Sequence, residues 1–132
     1  TDLKKLFPEE EFQFEVPSPE LKLNVDRTQI EQILINLLKN AREACSRKSD
    51  KKIQVKARKL SAGNTTLTIS DNGEGILPDV LDKIFVPFFT TKPSGSGIGL
   101  SLCKQIMTLH EGSINVKSEV GKGSSFILTF PK

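Results

Sequence analysis

A run that alternates apolar and polar residues through Leu67 and Ile69, then reads Ser70-Asp71-Asn72-Gly73-Glu74-Gly75-Ile76, belongs to a chain that leaves a sheet and turns at once. Alternation at period two marks a strand with one buried face, and the two glycines tolerate the positive φ that an abrupt turn needs. Asp71 is thereby held at a strand end, beside bare backbone. An ionised carboxylate accepts hydrogen bonds and donates none, so at the bottom of a pocket it selects a flat ligand that offers an N–H, such as the exocyclic amine of adenine. Gly73 and Gly75 have no Cβ and let a ligand come close to the main chain. The same letters also make an ordinary hairpin turn, since Asn-Gly is the strongest short-range turn signal. A calcium loop fits less well, because Gly73 and Gly75 fall where that pattern wants oxygen ligands.

The 132 residues, 36% apolar and 27% charged, suit one domain covering 1–132 with a sizeable core. No apolar run reaches membrane-spanning length and no signal-peptide pattern opens the sequence. The expected location is cytoplasmic, whether or not a longer parent is anchored in a membrane. Residues 1–11, with Leu3, Leu6 and Phe7, read as a linker remnant following a missing domain. Cys45 and Cys103 each sit in an apolar helical pattern with no second Cys or His at metal spacing, and read as reduced core residues. A net charge of +3 is too small to argue for nucleic acid. The basic run Arg47, Lys48, Lys51, Lys52, Lys56, Arg58 and Lys59 has no interleaved aromatic residue to stack on bases, and reads as a solvated face.

Phe12, Phe14 and Val16 alternate as a first strand; Pro17 and Pro19 break it, and Leu21, Leu23 and Val25 resume the alternation. Asp26 is placed to cap a helix, with Gln29 three residues on in capping-box position. Ile30, Ile33, Leu34, Leu37, Leu38, Ala41 and Cys45 then recur at helical spacing and share one face. Asn36, Asn40 and Glu43 form a neighbouring stripe, with Asn40 nearest the apolar boundary. Asparagine is a poor interior helix former, so two on one stripe ask for a reason. Amide oxygens are hard ligands suited to Mg²⁺, and Asn40 is placed to supply one; taken alone, the stripe is more simply a pair of solvated or backbone-bonded asparagines.

Ile53, Val55 and Ala57, then residues 65–69, alternate about a turn at 61–64, giving a hairpin that delivers Asp71. A short helix is expected over 78–84. Phe85, Phe88 and Phe89 flank Pro87, which rules out a central strand. The polar run Thr90-Thr91-Lys92-Pro93-Ser94-Gly95-Ser96-Gly97 follows, and such a run is expected to be mobile. Ile98, Leu102, Ile106 and Leu109 carry a second helix with Cys103 on its flank. A glycine-rich loop feeding a helix N-terminus offers free N–H groups and a positive dipole end to a polyphosphate, and Lys92 adds a point charge. It is neither a P-loop nor a dinucleotide fingerprint. His110, the single histidine, ends that helix, where a cation complements the dipole. Ile114 and Val116, then Phe126, Leu128 and Phe130, form a closing hairpin about Gly121-Lys122-Gly123.

Each stretch is ambiguous alone, but four occur in order: Asn36-Leu37-Leu38-Lys39-Asn40-Ala41-Arg42-Glu43-Ala44, Asp71-Asn72-Gly73-Glu74-Gly75-Ile76, residues 85–92, and Gly95-Ser96-Gly97-Ile98-Gly99-Leu100. Together they resemble the asparagine box, first glycine box, phenylalanine box and second glycine box of the catalytic, ATP-binding domain of two-component sensor histidine kinases. The resemblance covers about residues 21–131. It implies the two-layer α/β sandwich of the Bergerat fold, a mixed sheet packed under about three helices with a mobile ATP lid. Carried over by position, it makes Asn40 the Mg²⁺ ligand and Asp71 the adenine acceptor. Asn36, Lys39 and Glu43 lie nearby on the helix, and Gly73, Gly75 and Ile76 border the base. Phe89, Thr90, Thr91 and Lys92 open the lid, while Gly95, Ser96, Gly97, Ile98, Gly99 and Leu100 close it on the phosphates. Asn36, Asn40 and Lys92 are the implied catalytic set.

In the related topoisomerase, mismatch-repair and chaperone ATPases a glutamate stands four residues before the metal asparagine and activates water. Here that position is Asn36, and an amide is no general base. The resemblance therefore implies a kinase that holds the γ-phosphate for a histidine on a separate dimerisation domain of the same parent, with a response regulator reached through it. Little turnover is expected from the chain alone, and it is expected to be monomeric, without contact to nucleic acid or membrane. A nucleotide-binding interaction module without transfer, or a serine kinase of the same superfamily, shares the binding motifs.

Overall fold

The computed structural model describes residues 13–15, 27–46, 49–60, 62–87 and 99–131. Five strands, β1 (Gln13–Glu15), β2 (Ile53–Lys59), β3 (Thr65–Asp71), β4 (Ser113–Glu119) and β5 (Gly123–Phe130), form one sheet in the order β1-β2-β3-β5-β4. β1 runs parallel to β2 and every other pair is antiparallel, so the sheet is mixed, as expected. The alternation works as read: Ile53, Val55 and Ala57 of β2, Leu67 and Ile69 of β3, and Phe126, Leu128 and Phe130 of β5 are all buried. Val55 pairs with Ile69, and Ile69 with Phe126, so the apolar residues form continuous rows across the sheet.

Helix α1 (Arg27–Ala44) lays its apolar stripe on that face. Ile33, Leu34, Leu37 and Leu38 are at most 1% exposed, and Cys45 just beyond the helix end is fully buried. Each such aliphatic side chain contributes about 1.5–3 kcal/mol by leaving water. Helix α3 (Gly99–Leu109) packs against α1 and β4, and the short α2 (Pro78–Leu81) adds Val80 and Leu81 to the same core. The result is the two-layer α/β sandwich. Among the described residues no helix is long and apolar enough to cross a membrane.

Two expectations are corrected. The buried face of α3 is Cys103, Ile106 and Met107, whereas Leu102 and Leu109 are 36% and 68% exposed. The helix is rolled so that Cys103 lies against α1, its thiol 3.9 Å from the Ile33 carbonyl oxygen. α2 stops at Leu81 rather than 84 and continues as hydrogen-bonded turns, Lys83 N–H to Val80 O and Val86 N–H to Lys83 O. It has no side-chain cap on Leu77, and Val86 precedes a proline, which disfavours helix. Phe12, Val16, the alternation over 21–25 and the Asp26 cap lie outside the described residues.

Candidate functional site

Asp71 is the last residue of β3 and pairs with Ser124 of β5. Its Oδ1 accepts the Gly73 N–H at 2.9 Å, and the Ser124 N–H also bonds the carboxylate. Burial pushes its pKa above the ordinary 3.8, and the two backbone N–H bonds pull the other way.

Both glycines of the turn are required by packing. A Cβ on Gly73 would lie 2.5 Å from the Ala44 carbonyl oxygen at the end of α1, the same oxygen that accepts the Glu74 N–H at 3.2 Å. Gly75 has φ +77°, and a Cβ there would collide with the Glu119 carbonyl. At each glycine the direction a side chain would take is occupied by main chain, of α1 at Gly73 and of the β4–β5 hairpin at Gly75. Ile76 and Glu74 extend the seam: the Ile76 N–H donates to Ser118 Oγ at 2.8 Å, and the Gly121 N–H donates to Glu74 O at 2.9 Å.

Asn72 points to the other side. Its Oδ1 accepts the Lys52 N–H and its Nδ2 donates to Asp50 O, both at 2.9 Å, and the Cys45 thiol lies 3.5 Å from Oδ1. The turn is thus clamped between the α1 end with its following loop and the β4–β5 hairpin. Ser118, Ser124 and this role of Asn72 escaped sequence reasoning. Asn72 read only as a turn letter, and the two serines reach the turn through hairpin register, which no short motif encodes.

On α1, Asn36 is half-buried, like Asn40 and Glu43 on the same stripe. Its Nδ2 is buried with no hydrogen-bond partner among the described residues. Asn36 Oδ1 lies 3.4 Å from where a Cβ of Gly99 would stand, so the carboxamide faces the start of α3. It also neighbours Cys103: burial raises that thiol to about 11, and the carboxamide opposes the rise without meeting the geometry of a hydrogen bond from its nitrogen. Asn40 and Glu43 are half-buried on the same edge, and Lys39 is exposed. No cluster of three or more His, Cys, Asp or Glu side chains able to hold a metal occurs among the described residues.

Gly99 and Leu100 open α3, whose first N–H groups are unsatisfied by the helix itself. Phe85 packs against the core with Lys104 Nζ 5.7 Å from its ring centroid. His110 Nδ1 is 2.9 Å from Ile106 O at the C-terminal end of α3, which fits the expected structural role. Phe89, Thr90, Thr91, Lys92, Gly95, Ser96, Gly97 and Ile98 lie outside the described residues.

The model of the histidine kinase-, DNA gyrase B- and HSP90-like ATPases matches residues 25–132. The chain belongs to that family. It is an ATP-binding domain of the histidine kinase type, as its relatives indicate. It is 39% identical over 110 residues to the sensor histidine kinase ZraS of Salmonella typhimurium, covering 83% of this chain and 23% of ZraS. It is similar to the catalytic domain of histidine kinase ThkA, with a TM-score of 0.84 and 34% identity over 99% of this chain and 90% of that one. ThkA in complex with the response regulator TrrA superimposes with a TM-score of 0.77 and 31% identity, over 99% of this chain and 38% of that one. The chain thus spans about a quarter or less of the length of its first curated relatives.

Proposed function

We propose that the chain binds Mg-ATP and donates its γ-phosphate to a histidine on a separate helical domain, in two-component signalling with a response regulator downstream. The observation that carries this reading is the Asp71 carboxylate, fixed by the N–H groups of Gly73 and Ser124 at a strand end. An ionised carboxylate offers about four acceptor positions, so two backbone bonds leave room for the exocyclic amine of adenine.

Asn40 would hold the metal, and Mg²⁺ when bound offsets the charge of the phosphates. The free N–H groups at the start of α3, with Lys92 and Gly95, Gly97 and Gly99 before or at it, would orient the triphosphate. Asn36 stands where hydrolytic relatives have a glutamate. Its buried amide can donate a hydrogen bond and cannot take a proton from water, so the γ-phosphate is kept for an external nucleophile. The chain's part is positioning and charge neutralisation, and the acceptor histidine comes from the other domain.

Titration calorimetry with Mg-ADP tests the nucleotide reading. Asp71→Asn is expected to weaken binding by about 1–3 kcal/mol, because an amide donor can face the adenine amine. Unchanged affinity would overturn it. Labelled ATP mixed with the chain and a histidine-bearing helical domain tests transfer: acid-labile label on that domain supports the kinase, and acid-stable label points to a serine acceptor.

A further inference from the structure

The hydroxyl of Ser118 sits where three parts of the molecule meet. It accepts the Ile76 N–H at 2.8 Å, donates to the Gly123 carbonyl oxygen at 3.1 Å, and lies 2.8 Å from the Ser124 hydroxyl. If Ser118 donates to Gly123, its remaining lone pairs take the Ile76 N–H and the Ser124 O–H, and every group in the set is satisfied. Ser118 and Ser124 are directly paired across β4 and β5, and Ser124 is 6% exposed. The two ends of this small network bear on Asp71 from opposite sides. Ser124 is the residue whose N–H holds the carboxylate, and Ile76 closes the turn whose Gly73 N–H holds it as well.

We infer that Ser118 is a positioning residue for the Asp71 carboxylate, setting its angle toward the amine of an adenine ring and so the chain's preference for purines that carry one. This rests on the nucleotide reading above. The fold does not depend on this one hydroxyl: the β3–β5 ladder runs from Thr65–Phe130 to Asp71–Ser124, and Gly121 N–H to Glu74 O ties the same hairpin to the same turn. Removing the hydroxyl strands the Ile76 N–H and frees the Ser124 side chain, so the turn that carries Gly73 and the strand that carries Ser124 lose a shared anchor, and their main-chain N–H groups shift slightly about Asp71 while the ladder is kept.

The test compares Kd for Mg-ADP with Kd for the diphosphate of purine riboside, which lacks the 6-amino group, in the wild-type chain and in Ser118→Ala, Ser118→Thr and Asp71→Asn. Ser118→Ala is expected to weaken ADP by about 5–10-fold and the des-amino analogue by less than about 2-fold, and Ser118→Thr to restore the wild-type ratio. Equal loss for both nucleotides, or no loss, overturns the inference and leaves Ser118 a structural residue. If Asp71→Asn itself leaves the ratio unchanged, the adenine reading fails first. Should Ser118→Ala not fold, Ser118→Cys, somewhat larger and a weaker hydrogen-bond partner, carries the same comparison.

Discussion

Asp71 is buried enough that its ionised form is disfavoured, and this ties the stability of the fold to pH. Its folded pKa lies above the unfolded value, so stability is full below the ordinary aspartate range and declines as pH rises through the raised folded value. Without nucleotide, Asp71→Asn is therefore expected to melt above wild type near neutral pH, with the gap closing toward about pH 4 and below. Thermal melts across that range check the sign. If Asp71 is the adenine acceptor proposed above, affinity for ADP is expected to run the other way in calorimetry, falling as pH drops through the same raised value, because the protonated carboxyl loses an acceptor. Gly75→Ala is a harsher change: positive φ and a collision with the Glu119 carbonyl together cost about 2 kcal/mol or more. Urea denaturation measures it. Asp71 was legible because it follows an alternating run, whereas the reason for Gly75 was not, since the atom it avoids lies on another hairpin.

Among the elements, α1 is the one on which the sheet closes. Leu37 is fully buried, and Leu37→Ala is expected to cost about 2–5 kcal/mol in urea denaturation. Asn72→Ala severs two backbone anchors between the turn and the loop after α1, and is expected to cost about 1–2 kcal/mol. The two helices differ in how plainly they read. The stripe of α1 has no apolar competitor except Ile35, so its buried face follows from spacing alone. α3 carries Leu102 and Leu109 on its outer side and Met107 on its inner side, and spacing alone favoured the wrong pair. What rolled the helix was the fit of Cys103 against Ile33, a tertiary contact that periodicity does not contain. The strands were readable because each alternates cleanly, but their order was not.

At the scale of the molecule, Asn36 in place of a glutamate predicts that the chain hydrolyses ATP negligibly even when saturated, while still binding it. A phosphate-release assay at nucleotide concentrations that saturate in calorimetry checks this. The sheet order places β5 between β3 and β4, so the last strand among the described residues is an interior one. Ser124 on that strand completes the grip on Asp71. A chain truncated before residue 123 is expected to lose Mg-ADP binding in calorimetry and one that includes residue 130 to keep it, because the hold on Asp71 needs a strand more than fifty residues away in sequence.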